Sequence, residues 1–333
     1  MKLEDIENKL KLFGVPTTDI QQYEFAPMND EFQKITDFYN ITLDNLKIYG
    51  LSPAVFYINN STNFRALAWR KNKLGVVNIS PGVVKYLIEN IKNDQTNLSK
   101  ILSGSINRDT QFIEGINDFM YIYTMHYIIY HESAHLIQNQ NRNDQAAIDF
   151  DESQEKSETF DFHIHALETD ADEFAALSMA EHLVQYFQQV NEKNFILSSN
   201  NVNDYIVSVL TPIMLTMIEQ QPHFSQFYIR EMKHPHPAIR LIYMSMTIIE
   251  YLNQAYIKPS RMKLLDHSAI IINSFNAVSE HLRLTKVDLR VQLIPEMVSK
   301  NYSEIMLYFE ELKDEQKKVD ILAVTAWNNN AKK

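Results

Sequence analysis

The chain has no cysteine in its 333 residues, which excludes disulfides, thiol nucleophiles and cysteine metal ligands. Any metal it holds must be bound through histidine and carboxylates. An excess of positive charge is missing too. The net charge of −11 argues against nucleic acid or an anionic membrane surface as the main partner. Long apolar runs are absent. The nearest, Tyr205–Ile218 (YIVSVLTPIMLTMI), falls short of a bilayer span and is interrupted by Pro212, so it reads as a buried helix. The first residues, MKLEDIENKLKLFGV, alternate charges with apolar positions, as an amphipathic helix does and a signal peptide does not. No internal repeat is evident. These absences point to a soluble, cytoplasmic protein without a membrane span, and 45% hydrophobic content suffices for a substantial core.

What the chain does have is His131-Glu132-Ser133-Ala134-His135, an H-E-x-x-H sequence. Residues four apart on a helix project from one face, so both imidazoles can reach one metal ion, with Glu132 beside it to take a proton from water. The upstream run Glu114–Tyr130 contains no proline and reads as a mostly buried helix leading into the motif. The alternative is two histidines that merely satisfy hydrogen bonds.

A second chemical segment is His163–Ala176 (HIHALETDADEFAA), whose spacing predicts a helix with Leu167, Phe174 and Leu177 apolar. A catalytic zinc takes three protein ligands and keeps one position open, and Glu168 is the leading candidate for the third. Asp172, four residues on, is placed to accept the remaining ring N–H of a ligating histidine. Ala171, Ala175 and Ala176 permit close approach to the motif helix. Asp170 and Glu173 read as solvated. His165 competes with Glu168 as a ligand, with a supporting or core role the alternative; His163 has no assigned role.

The third segment is His234-Pro235-His236-Pro237-Ala238-Ile239-Arg240. Its prolines set an extended entry into a helix, so a histidine here can face a site, or the segment is a surface turn with a core-facing arginine. Whether His236 reaches the metal site stays open.

Around these segments the expected organisation is N-terminal helices over 1–50, a core over 51–258 and a helical region over 259–333. Ala54–Asn59, Phe64–Trp69 and Leu74–Ile79 read as strands of a small antiparallel meander, with RKNK as a turn. Ser80 and Pro81 then open a helix as its N-cap and first residue. Asn93–Asp109 and the acidic Asn141–Asp161 read as loops, the latter a solvated excursion or a lid.

HESAH followed by ETDAD resembles the gluzincin metallopeptidases, whose E-x-x-A-D motif brings the third zinc ligand and a supporting aspartate. The set is most similar to the group that includes the CAAX prenyl protease and HtpX, which also carries a late H-P-x-x-x-x-R motif, matched by His234, Pro235 and Arg240. The resemblance covers about residues 52–245. It implies an α+β, mainly helical zincin core with the β-meander packed on the active-site helices. It also implies one Zn²⁺ per chain on His131, His135 and Glu168, Glu132 as base, and Asp172 in support. His234 and Arg240 would lie near a protein or peptide substrate, with His234 stabilising the oxyanion and Asn63 binding substrate backbone. NFRA differs from the group's N-A-F, and the group's membrane spans are missing, which argues against a membrane substrate. The phage-exclusion peptidase Lit is a further point of similarity. The expected activity is therefore zinc-dependent endopeptidase. The rival is a regulatory or phage-defence protein with the same core that binds a partner or cleaves a single target.

Overall fold

The computed structural model describes residues 3–21, 28–51, 53–105, 115–140, 160–192, 197–221, 226–285, 294–319 and 321–331. Two helices lead, α1 (Leu3–Leu12) and α2 (Asn29–Asn45), followed by a 3-10 turn at Leu46–Tyr49. Three strands come next: β1 (Ala54–Ile58), β2 (Ala66–Lys71) and β3 (Leu74–Ile79). Helix follows in α3 (Pro81–Tyr86, prolonged by a π turn at Leu87–Lys92), α4 (Leu98–Ser105), α5 (Ile116–Gln138), α6 (Phe162–Glu192), α7 (Ser199–Gln220) and α8 (Pro237–Leu252). The last elements are α9 (His267–Thr285), α10 (Ile294–Lys300), α11 (Tyr302–Gln316) and α12 (Ala323–Ala331). The protein is mainly helical with one small sheet among the described residues, as expected.

The sheet is not an antiparallel meander. Its order is β1-β3-β2, with β3 antiparallel to β2 and parallel to β1. LGVVNI, buried at every position, occupies the centre, and the less buried ALAWRK forms one edge, but β1 is equally buried and forms the other, so burial alone does not reveal the order. Asn72 and Lys73, with φ of 49° and 72°, make the tight hairpin turn between β2 and β3. Alternate side chains pack on opposite faces. Val55, Tyr57, Leu74 and Val76 meet Ile6 and Leu10 of α1. Phe56, Ile58, Val77 and Ile79 face the helical core.

The two sheet edges differ. Along β1, the Asn40 side chain of α2 pairs with both the N–H and the C=O of Phe56, at 2.9 and 2.8 Å. Gln21 N–H donates to Ile58 C=O at 2.9 Å. Beside β2's outer edge no further described strand pairs. The sheet thus offers β2 as its available edge.

Helix α5 runs under the sheet and against α6, which also packs on α8, α11 and α12. Close approach of β3 to α5 needs Gly75, where an added Cβ would sit 3.0 Å from Leu136 Cδ1. Ala171, Ala175 and Ala176 are fully buried on α6. The larger hydrophobic core runs from Phe32 and Leu43 through Phe174 to Tyr308 and Leu312, and the cluster around Ile6 and Leu10 lies on the other face of the sheet.

Ser80 caps α3 as expected, its hydroxyl accepting from Val83 N–H at 3.4 Å with Pro81 at the first position. The supposed loop at Asn93–Asp109 contains α4 instead. Leu98 and Leu102 are buried four apart, and the polar residues around them masked that stripe. Helix α7 is longer than its apolar segment suggested and carries Pro212 inside it. It alone among the described helices is long and apolar enough to cross a membrane, yet 89% of that stretch is buried within the protein. Residues 141–159, expected as a loop or lid, lie outside the described residues.

Candidate metal centre

His131 and His135 lie one turn apart on α5, and Glu168 faces them from α6; all three are buried. The two Nε2 atoms are 3.2 Å apart. His131 Nε2 stands 3.4 Å from Glu168 Oε2, and His135 Nε2 stands 3.5 Å from Glu168 Oε1. Tetrahedral coordination with bonds of about 2.0–2.1 Å separates ligand atoms by about 3.3 Å, and each imidazole stands near that distance from the other and from one oxygen of the Glu168 carboxylate. Both Glu168 oxygens are buried without a hydrogen-bond partner. Arg240 Nη2 stands 3.6 Å from Oε2, beyond hydrogen-bond length, so the buried carboxylate keeps acceptor capacity for a bound cation. The group can hold a metal ion, one ligand atom per residue.

Each imidazole is held from behind. Asp172 Oδ1 lies 3.0 Å from His131 Nδ1, which assigns the proton to Nδ1 and leaves Nε2 for the metal. Arg240 grips the same carboxylate with Nε at 2.8 Å and Nη2 at 2.9 Å. Tyr127 donates to Asp172 Oδ1 at 2.9 Å and accepts from Arg240 at 2.8 Å. His135 Nδ1 meets Gln138 Oε1 at 2.8 Å. Tyr127 and Gln138 escaped the sequence reading, although their spacings of four before His131 and three after His135 put them on the motif face.

The electrostatics agree with a cation site. Burial opposes a charge on His131, but Asp172 and Glu168 outweigh it and raise the ring to about 10. Burial lowers His135 to about 4, despite Glu168, so that ring is neutral and ready to ligate. Burial alone would raise Glu168 and Asp172. The neighbouring histidines and Arg240 overcome it and hold both below the usual carboxylate range.

Glu132 lies with His131 in the wall of a small cleft. The other lining residues are Tyr127, Ile128, Gln220, Arg240 and, at the start of β2, Phe64, Arg65 and Ala66. The cleft therefore runs from His131 and Glu132 to Ala66, the first residue of β2, and the two residues before it. His234 stands with Nδ1 3.8 Å from Glu168 Oε1, brought there by the turn before α8. Asn63 is exposed on the connection into β2, next to the cleft-lining Phe64.

Four other residues fall elsewhere. His165 is buried and engaged at both nitrogens, by Tyr308 OH and by Met232 C=O at 2.9 Å, so it serves the core. His236 caps α8, its Nδ1 accepting from Ala238 N–H at 3.0 Å, with Phe227 and Tyr228 against its ring. Asp170 and Glu173 are not solvated. Asp170 is 1% exposed and accepts from Gln138, Ala323 N–H and Val324 N–H, and Glu173 accepts from Tyr243 OH. The C-terminal helices cover this face of α6, which its acidic composition concealed.

No family model, curated protein or solved structure matches the chain. The chemistry of its own site is the guide to what it does.

Proposed function

We propose that this chain is a zinc-dependent endopeptidase of the gluzincin type. The observation that supports this most is the set of three buried donors whose ligand atoms lie within 4.8 Å of one another, with Glu132 beside His131 in the wall of a cleft. Zinc is favoured over other divalent ions by the His/His/carboxylate set. Held by His131, His135 and Glu168, it would polarise the scissile carbonyl and acidify a water.

The chain's own residues supply the rest. Glu132 takes the proton of the attacking water and passes it to the leaving amine. His234 donates to the oxyanion as the carbonyl becomes tetrahedral. Asp172 and Arg240, gripping each other, orient His131, and Arg240 also lines the cleft in which the substrate would lie. An extended peptide pairs with the outer edge of β2, its main chain running past Glu132.

The test is bound metal per chain, by elemental mass spectrometry, on the wild type and on Glu168→Ala. About one zinc in the wild type and little in the variant supports the site. No metal in the wild type after chelator-free purification and reconstitution sinks the proposal. Turnover of a peptide library by the wild type then separates a peptidase from a partner-binding protein on the same core.

A further inference from the structure

The C-terminal helix α12 is connected to a metal ligand by an unbroken set of buried hydrogen bonds. Its first two amides, Ala323 and Val324 N–H, donate to Asp170 Oδ2 and Oδ1 at 2.7 and 3.2 Å. Such amides have no partner within their own helix. Asp170 Oδ2 also accepts from Gln138 Nε2 at 2.8 Å, and the same nitrogen donates to Leu167 C=O at 2.9 Å. Both acceptors are oxygens, so the amide orientation of Gln138 is settled and its Oε1 faces His135 Nδ1. A carbonyl oxygen only accepts. His135 must therefore carry its proton on Nδ1 and present the Nε2 lone pair beside His131 and Glu168.

We propose that α12 is a working part of the metal centre: through Asp170 and Gln138 it positions His135, so metal binding and docking of the C-terminal helix stabilise each other. The inference rests on the metal reading above and adds its control element. If α12 leaves, Asp170, 1% exposed, loses two of its three donors, and the carboxylate that holds Gln138 Nε2 alongside Leu167 C=O is no longer fixed in place. Conversely, a cation on Nε2 makes Nδ1–H a stronger donor to Gln138, which tightens the same path. Linkage requires the two effects to be equal in size. A second anchor of α12 lies away from the ligands, where Trp327 stacks on Tyr49 at 6.2 Å and meets Phe174 edge-on at 6.0 Å.

The experiment compares hydrogen exchange of residues 321–331 in the full-length chain, with chelator and with saturating zinc. Zinc affinity is measured alongside, by chelator competition, for the wild type, Gln138→Met, Trp327→Leu and the double variant. Zinc should slow exchange in α12 by about threefold or more in the wild type, and not in Gln138→Met. Gln138→Met should weaken zinc by about tenfold to a hundredfold. Trp327→Leu should weaken zinc as well, and add little to Gln138→Met, because both cut one path. Zinc bound tightly with unchanged exchange of α12 in the wild type overturns the inference and leaves the peptidase reading standing. So do zinc affinities that add independently. Should Gln138→Met fold poorly, the wild-type exchange comparison decides alone. No zinc bound in any form overturns both readings.

Discussion

His131 Nδ1 and Asp172 Oδ1 meet at 3.0 Å, and that contact sets the behaviour of the metal-free site. With Glu168 on its other nitrogen, the ring keeps a proton up to about pH 10. A metal ion must displace that proton. His135, lowered to about 4 by burial, has none to lose at neutral pH.

Metal binding should therefore release about one proton per ion near neutrality, with affinity rising about tenfold per pH unit between pH 6 and 8. Calorimetry in buffers of different ionisation enthalpy counts the proton directly. A pH-independent affinity would show that His131 is already neutral in the metal-free protein.

The same ring makes the metal-free fold sensitive to alkali. Its folded value of about 10 exceeds the ordinary imidazole value of about 6.5, so its contribution is complete below about pH 6.5 and is lost as pH rises toward 10. Stability of chelator-treated protein should fall by about 1.4 kcal/mol per pH unit between pH 7.5 and 9, the effect of one proton held only by the folded state. On the acid side the sign reverses for His126, His135 and His165, which burial depresses to about 3, 4 and 4, so stability falls below pH 6.5. Urea titrations across this range test both limbs, and zinc should flatten the alkaline one.

Glu132→Gln should retain zinc and lose turnover by about 10²–10⁴-fold, the usual contribution of a general base. The metal content and the rate are measured on the same preparation. Retained activity would remove Glu132 from its assigned role.

Removing Arg240 should be felt in folding before catalysis. Arg240→Met leaves the Asp172 carboxylate, 1% exposed, without the guanidinium that takes two of its hydrogen bonds. Breaking such a buried pair costs about 3–5 kcal/mol. Arg240→Lys should recover only part, because an ammonium cannot make both bonds in the same plane. Denaturant midpoints of the two variants decide this.

Gly75→Ala tests how tightly the sheet presses on the motif helix. The new methyl meets Leu136 Cδ1 at 3.0 Å, next to His135, and should cost about 1–3 kcal/mol as overpacking. A neutral effect on thermal stability would mean that Leu136 has room to move.

Much of this site was legible before the fold. The four-residue spacing of His131 and His135 is a property of any helix, as is that of Glu168 and Asp172, so local periodicity placed each pair on one face. Ser80 and Pro81 announced α3 by the chemistry of an orphaned amide and a preset φ. The strands AVFYI and LGVVNI announced themselves by composition.

Their order did not, because a strand's sequence records that both faces are buried and not which neighbour lies at its edge. The same limit hid Asp170. Four acidic positions in one helix look alike in sequence, and what separates them is a partner 153 residues away at Ala323. His165 was assigned by Tyr308, 143 residues away, and Arg240 by Asp172, 68 away. Local chemistry determined which side chains could ligate, cap or carry a proton. Tertiary packing alone decided which of them are buried together, because a buried charge persists only where distant chain segments bring it a partner.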